Sequence, residues 1–309
     1  MQVDVSGVFQ QMVILFLLMA IGFVAGKTKV MSLDSNKNLY RIINCITNPC
    51  NVLYSALCND HALGNGEVFQ LLGIAAALYI GMILLAQIVP WMLRVKRDQR
   101  NQYKFMMIFS NIGYMGIPVI SSIYGSSAVF YIAIFIMVFN VVLFTYGVYL
   151  LCGDGKVRLR ISDLVSPMMV CSFLSLVLYL MKARAPVIIT DTLNTLGAVT
   201  TPCAMLIVGC ALSATSVLEV FTNWRLYIVS VFKLLLIPVA GYVLLRPIVS
   251  NVTVLGVIVA ILGMPVATNF TMLSAQYDRD QKLAASAVFI TTLLSVGSIP
   301  LLMQLLFAG

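Results

Sequence analysis

Two proline motifs lie inside apolar stretches of the first half of the chain, and both return in the second half. Thr47-Asn48-Pro49-Cys50 recurs as Thr200-Thr201-Pro202-Cys203, at a distance of 153 residues. Gly116-Ile117-Pro118-Val119 recurs as Gly263-Met264-Pro265-Val266, at a distance of 147 residues. Because proline interrupts helical hydrogen bonds, the four prolines predict helix breaks at matched places of two sequence repeats. Matched breaks inside apolar segments are typical of secondary transporters.

The composition indicates whether this chain folds in water or in a membrane. Hydrophobic residues make up 61% of it, charged residues only 10%, and the mean hydropathy is +1.01. Soluble domains do not have such a composition, so we expect an all-α polytopic membrane protein. Apolar segments long enough to cross a bilayer lie at 8–26, 38–58, 68–93, 103–123, 127–151, 164–181, 190–217, 224–246, 252–275 and 283–307.

These ten predicted transmembrane helices form two sets of five. A set with an odd number of crossings ends on the side opposite to its start, so the second set enters the membrane in the reverse direction. The sequence therefore predicts a 5+5 inverted repeat, with one repeat at 1–151 and the other at 152–309.

Basic residues are distributed unevenly between the loops. The loops after the even-numbered segments carry only Lys182, Arg184 and Arg246. The loops after the odd-numbered segments carry Lys27, Lys29, Lys37, Arg41, Arg94, Lys96, Arg97, Arg100, Lys104, Lys156, Arg158, Arg160, Arg225, Arg279 and Lys282. Since Lys and Arg stay on the cytoplasmic side, both termini are expected on the non-cytoplasmic side of the cell (inner or plasma) membrane. The net charge of +8 follows from this topology and does not indicate a nucleic-acid partner.

Motifs of soluble enzymes and pumps are absent from the sequence. It contains one histidine, its seven cysteines show no C-x-x-C spacing, and no P-loop, H-E-x-x-H or G-x-S-x-G motif occurs. We therefore expect no enzyme activity, no metal site and no cofactor.

The fourth and ninth segments contain the candidate binding residues. The fourth holds Ser110-Asn111-Ile112-Gly113-Tyr114-Met115-Gly116-Ile117-Pro118, and the ninth holds Gly263-Met264-Pro265-Val266-Ala267-Thr268-Asn269. Backbone groups freed by a helix break are costly in hydrocarbon unless protein or a water-filled cavity satisfies them. Two broken helices related by inverted symmetry should cross near the midplane, where the N-termini of half-helices favour an anion.

Lys233 is the one charged residue well inside a predicted segment. An intramembrane lysine indicates a functional role, and an anion or a helix C-terminus could neutralise its charge. Snorkelling of its long side chain to the interface is the alternative. We expect a structural or gating role for this lysine in transport.

Three motifs resemble the auxin efflux carrier family, and this chain is similar to its compact bacterial members. They are the 110–118 segment, the Met-Pro-Val-Ala-x-Asn stretch at 264–269, and Ala285-Ser286-Ala287-Val288 followed by Thr291-Thr292-Leu293-Leu294-Ser295 and Pro300. The resemblance extends from the first segment to the last.

The resemblance implies a ten-helix inverted-repeat fold related to sodium/proton antiporters and bile-acid symporters. Segments 1, 2, 6 and 7 would form a scaffold, and segments 3–5 and 8–10 a transport domain that moves like an elevator. It implies a substrate contact at Asn111 and pocket residues just after the proline of segment 2, at Asn51, Val52 and Ser55. The substrates implied are small organic anions, either malate or malonate or auxin-like acids.

The coupling of transport is left open by the sequence. All eleven acidic residues fall at segment ends or in loops, the nearest to the membrane interior being Asp60, Asp191 and Asp278. This argues against a buried carboxylate relay for protons, and leaves an electrogenic uniport or a coupling ion held by backbone carbonyls. Whether such an ion is H+ or Na+ stays open.

Two other functions remain open. A non-transporting sensor or partner subunit would keep the fold and bind ligand without flux, and a cation/proton antiporter would need one of the acidic residues.

Relatives are often dimers through the scaffold, but the sequence shows no convincing stripe of small residues that would argue for a homodimer.

Overall fold

A computed structural model describes residues 5–58, 65–125, 128–152, 167–214 and 217–307. These residues are almost entirely helical, which confirms the all-α prediction. Helical structure occupies each of the ten predicted segments. Asp60 and the basic residues Lys156, Arg158 and Arg160 lie outside the described residues.

The helices and π-helical turns follow each other in this order. They are α1 (Val5–Lys27), α2 (Leu33–Ile42), π1 (Ile43–Thr47), α3 (Asn48–Leu57), α4 (Asn65–Met92), α5 (Arg100–Ile108), π2 (Ile112–Gly116), α6 (Ile117–Tyr124), α7 (Val129–Val142), π3 (Leu143–Gly147), α8 (Val148–Cys152), α9 (Pro167–Leu180), α10 (Val187–Ala198), α11 (Thr200–Ser213), α12 (Val217–Thr222), α13 (Trp224–Val231), π4 (Phe232–Leu236), α14 (Ile237–Leu245), α15 (Val252–Leu262), α16 (Asn269–Gln276) and α17 (Gln281–Phe307).

Six helical stretches within the described residues are long and apolar enough to cross a membrane. They are Phe9–Lys27, Gly66–Met92, Tyr131–Cys152, Val187–Ser213, Trp224–Leu245 and Gln281–Phe307. Shorter apolar helices occur at Ile112–Tyr124, Val170–Leu180 and Val252–Leu262. The protein is thus a multi-pass helical membrane protein, and its count of ten crossings stays a prediction.

Three prolines directly follow a π-helical turn. Pro49, Pro118 and Pro238 each lie two residues after the last residue of π1, π2 or π4. A proline ring clashes with the carbonyl four residues earlier and offers no N–H. That carbonyl lies inside the π turn in each case, and the wider turn accommodates the ring without unwinding the helix.

Only one of the four predicted helix breaks has its proline in an unwound stretch. Pro265 lies in the non-helical residues between α15 and α16. Around Pro49 the backbone stays helical, with φ −72° and ψ −40° at Thr47. Pro202 follows a single turn residue, Val199, that separates α10 from α11. The predicted breaks at Pro49 and Pro202 are therefore local adjustments of continuous helices.

The described chain divides into two compact units. The first unit combines Met1–Lys37, Ser110–Ile132 and Ala204–Gly309, and the second combines Asn38–Phe109 and Ala133–Cys203. In the first unit α17 packs against α1, α13, α15, α16 and π4. In the second unit α3 packs against α9 and α10, and α5 against α4 and α8. The predicted repeats at 1–151 and 152–309 and the predicted scaffold and transport domain stay predictions.

Glycines bring α1 and α11 together inside the first unit. A Cβ atom on Gly209 would overlap the carbonyl oxygen of Met19, and one on Gly22 would overlap that of Leu206. Gly22 and Gly26 are four residues apart on α1, as Gly209 and Ser213 are on α11. Small residues at this spacing let two helix backbones approach closely in a membrane. The sequence therefore does contain small-residue stripes, and they serve packing within the chain.

Replacing Gly209 with Val should destabilise the protein by about 1–3 kcal/mol, because the added atoms meet backbone that side-chain rotation cannot relieve. Thermal unfolding of the purified protein in detergent measures the effect. Gly73→Val is the matched control, since a Cβ on this α4 residue meets nothing within 4 Å. An equal loss of stability in both variants would contradict the packing argument.

Candidate substrate site at two paired unwound segments

The fourth apolar segment is interrupted before its proline. α5 ends one residue before Phe109, whose backbone is extended (φ −98°, ψ 110°). Asn111 is also non-helical (φ −77°, ψ 56°). Pro118 instead occupies the second position of α6, where its missing N–H costs little after the π turn. The break predicted at Pro118 therefore lies at residues 109–111.

The ninth segment unwinds around its proline. α15 ends at Leu262 and α16 begins at Asn269, which leaves residues 263–268 outside regular helix. Val266 and Thr268 in this stretch are fully buried. In a membrane such backbone persists only where protein or trapped water satisfies it.

The two unwound stretches pair with each other inside the first unit. Ser110 and Val266 form an isolated antiparallel bridge. The backbone N–H of Asn111 donates to the carbonyl of Pro265 at 2.8 Å. The Asn111 side-chain Nδ2 donates to Thr268 Oγ1 at 3.0 Å. The structure thus brings together residues of the two segments that the sequence singled out.

A threonine on α17 supports the pair from one side. Thr291 Oγ1 accepts a hydrogen bond from the Val266 N–H at 3.1 Å and donates to the Ala287 carbonyl at 2.7 Å. One hydroxyl thereby satisfies an unwound amide and a helix carbonyl in a fully enclosed position. Sequence reasoning missed Thr291 as a support, although it lies in one of the motifs that carried the family resemblance.

The Asn111 amide retains an unused acceptor. Its side chain is only 1% exposed, and Oδ1 has no hydrogen-bond partner. A buried amide oxygen without a partner is costly, so a ligand or water is expected there. The Thr268 hydroxyl can donate as well as accept, so the amide can also turn and offer its NH2 group to an anion.

Two further polar side chains lie beside the pair. The Tyr114 hydroxyl on π2 interacts with the side chain of Asn269, the first residue of α16. Tyr114 is 1% exposed and Asn269 4% exposed. The sequence predicted Asn269 but missed Tyr114, whose place between two glycines was the available signal.

The glycines of π2 have different surroundings. A Cβ atom on Gly113 would meet nothing within 4 Å, so open space lies two residues after Asn111. A Cβ on Gly116 would press against the side chain of Ile132. Gly113 therefore has room for a side-chain atom, while Gly116 permits close packing.

A family model described as "Membrane transport protein" matches residues 7–163 and 155–303. The chain belongs to this family. The family is the auxin efflux carrier family that its motifs resemble. An uncharacterized transporter of Methanocaldococcus jannaschii is 24% identical over 295 residues, which cover 92% of this chain and 94% of that protein. A Rhizobium meliloti protein named "Putative malonate transporter" is 25% identical over 246 residues, or 75% of each chain.

The three family positions of segment 2 lie in the second unit. Asn51, Val52 and Ser55 share α3, where Val52 is buried and the other two are half-buried. Ser55 Oγ donates to the Asn51 carbonyl at 2.9 Å, a bond within the helix. Gly197 of α10 packs against Asn51, since a Cβ there would lie 3.0 Å from the Asn51 Cα.

Threonines at matched places of the two proline motifs contact each other in the second unit. Thr200 Oγ1 donates to Thr47 Oγ1 at 2.9 Å, and the two residues are 153 apart in sequence. Each precedes its proline by two residues, and both are buried. Contact between equivalent residues is expected where a two-fold pseudosymmetry axis passes between two repeats, and supports the proposal of internal symmetry in this family member.

Lys233 lies on π4 in the first unit and is fully buried. π4 packs against α17, the helix that also supplies Thr291. A change in the contacts of Lys233 could therefore shift α17 and, through Thr291, the paired stretches. Among the described residues no group of three or more His, Cys, Asp or Glu could hold a metal ion.

Thr291→Val should destabilise the protein by about 1–3 kcal/mol, because it leaves the buried Val266 N–H without its acceptor. Thermal unfolding in detergent measures the change. Thr145→Val is the control, since that hydroxyl donates only to carbonyls of its own helix segment, at 2.6 Å and 3.4 Å. Equal stability of the two variants would show that Thr291 does not support the unwound stretch.

Proposed function

We propose that this member of the membrane transport protein family carries small organic anions across the membrane. The observation that supports the proposal best is the pair of unwound stretches, which holds the buried Oδ1 of Asn111 without a hydrogen-bond partner. Unwound backbone of this kind is expected where a membrane carrier holds its substrate.

Backbone dipoles can supply the attraction for an anion at this place. π2 begins directly after Asn111 and continues into α6, and α16 begins directly after Thr268. A helix N-terminus carries about half a positive charge. The Asn111 amide and the Tyr114 hydroxyl add donors that can orient a carboxylate. We place the substrate against Asn111, Gly113 and Asn269, with Gly116, Pro118 and Pro265 shaping the backbone.

We propose a small carboxylate as the substrate. The relative named "Putative malonate transporter" is 25% identical to this chain, and malonate is a compact dicarboxylate. Such an anion can place one carboxylate at each helix N-terminus of the paired stretches. Malate, malonate and auxin-like acids are the candidates to test.

The proposed transport cycle is an elevator movement of segments 3–5 and 8–10 against a scaffold of segments 1, 2, 6 and 7. The family resemblance implies Asn51, Val52 and Ser55 on α3 as the pocket residues of this scaffold. Uniport driven by the membrane potential and coupling to H+ or Na+ both agree with the absence of acidic residues from the predicted segment centres.

Replacing Asn111 with Ala should lower the uptake of the transported carboxylate about tenfold or more, because a charge-assisted hydrogen bond is lost. The measurement is uptake of labelled malonate, malate or indole acetate, with current recording, in liposomes containing the purified protein. Asn140→Ala is the matched control, since this 2% exposed amide donates to Ser172 Oγ at 3.0 Å in the other unit.

Equal uptake by the Asn111 and Asn140 variants would remove Asn111 from the site. Ligand binding by the native protein without uptake would favour a sensor or partner subunit. A cation/proton antiporter would instead lose pH-dependent exchange on replacement of Asp60, Asp191 or Asp278 by Asn.

The proposed orientation places the loops after odd-numbered segments in the cytoplasm and both termini outside. In a cysteine-free background, Lys182→Cys should react with a membrane-impermeant maleimide in intact cells, and Lys96→Cys only after lysis. Labelling of Lys96→Cys in intact cells would show that the orientation is the opposite of the one proposed.

A further inference from the structure

The first unit contains an apolar cavity of about 230 Å³ that is separate from the paired stretches. Its walls come from α1, α11, α12 and α17. The lining residues are Phe16, Met19, Ala20, Phe23, Leu212, Val220, Phe221 and Phe289. Every one of these side chains is apolar, so the cavity offers no hydrogen bonds to water.

Aromatic rings frame the cavity. The rings of Phe16 and Phe289 lie 5.9 Å apart between their centroids, and those of Phe221 and Phe289 lie 6.0 Å apart edge to face. Apolar cavities of about 150 Å³ with such walls stay dry and accept apolar ligands. An apolar molecule is therefore the expected occupant.

The cavity opens on a surface that faces lipid. Ala20 and Phe221 in its wall are exposed, and the neighbouring α1 residues Leu17 and Ile21 are 55% and 58% exposed. Exposed apolar side chains on a membrane-spanning helix contact acyl chains. Lipid tails are thus the apolar molecules with direct access to the cavity.

Basic and aromatic residues lie where the cavity approaches one end of the helices. The Lys27 ammonium lies over the ring of Phe23, 5.5 Å from its centroid. The Arg225 guanidinium lies 5.2 Å from the centroid of the Trp224 ring. Arg225 is four residues after the cavity residue Phe221 in the chain. Tyr227, on the same turn of α13, donates its hydroxyl to the Phe221 carbonyl at 3.1 Å, which fixes this turn to the cavity wall.

Lys27 and Arg225 belong to loops that the charge distribution assigns to the cytoplasmic side. Anionic phospholipids are enriched in the cytoplasmic leaflet, and basic pockets between transmembrane helices on that side bind their head groups. Trp224 is 55% exposed and suits the interface between head groups and tails. The charge of the rim and the apolar interior therefore match the two ends of one lipid molecule.

We infer that this cavity binds one acyl chain of an anionic glycerophospholipid, whose phosphate lies near Lys27 and Arg225. The lipid connects α1 with α12 and α17. Since α17 also holds Thr291 against the unwound Val266, lipid occupancy stabilises the unit that contains the candidate substrate site.

The test is photolabelling of the purified full-length protein with phosphatidylglycerol that carries a diazirine in one acyl chain. Phosphatidylcholine with the same chain is the lipid control, and labelled peptides are identified by mass spectrometry. We expect label on α1, α12 or α17 with phosphatidylglycerol, and several-fold less with phosphatidylcholine. Equal labelling by both lipids, or label confined to other helices, would overturn the inference.

Two pairs of variants separate the tail from the head group. Ala20→Trp fills the cavity and should abolish specific labelling, while Leu17→Trp on the same helix face should not. Lys27→Gln combined with Arg225→Gln should reduce labelling by phosphatidylglycerol about tenfold, and Lys182→Gln combined with Arg246→Gln should leave it unchanged.

Size-exclusion chromatography shows whether Ala20→Trp is folded. If it is not, the charge variants still test the inference. Unchanged labelling after loss of both Lys27 and Arg225 charges would overturn it. Displacement of the lipid by indole acetate would assign the cavity to an apolar acid and would also overturn it.

Discussion

The backbone amides and carbonyls of a membrane protein must find partners inside the protein, because hydrocarbon offers none. This constraint explains why two unwound stretches occur together in the first unit. Asn111 and Val266, which interrupt their helices, give their N–H groups to Pro265 and to Thr291. Each interruption would be costly alone, and the pairing turns both into a stable, rigid feature.

The same constraint separates the prolines that unwind a helix from those that do not. At Pro49 and Pro238 a π turn absorbs the steric clash, and the helix continues with its hydrogen bonds largely intact. At Pro265 the neighbouring segment supplies partners for the backbone groups that the interruption frees, so the helix can open. Proline therefore permits an interruption, and the surrounding protein determines whether one forms.

In the proposed function, fixed backbone dipoles attract an anion to the paired stretches. Helix N-termini and the amide of Asn111 provide fixed partial charges, which need no counter-ion and remain in place when the substrate leaves. A full positive charge would hold an anion more tightly and release it more slowly. Lys233 lies on π4, which packs against α17, the helix that supplies Thr291.

The sequence by itself determined the helical class, the membrane environment, the family and the two segments that hold the candidate site, because hydropathy and sequence motifs are local properties of the chain. Only the tertiary structure decided that the fourth segment breaks at residues 109–111, that Thr291 and Tyr114 contact residues of the paired stretches and of α16, and that Gly22 and Gly209 bring α1 against α11. These features depend on which atoms meet across distant parts of the chain. Proline spacing marks where a helix can open, but the partners that satisfy its backbone come from other helices.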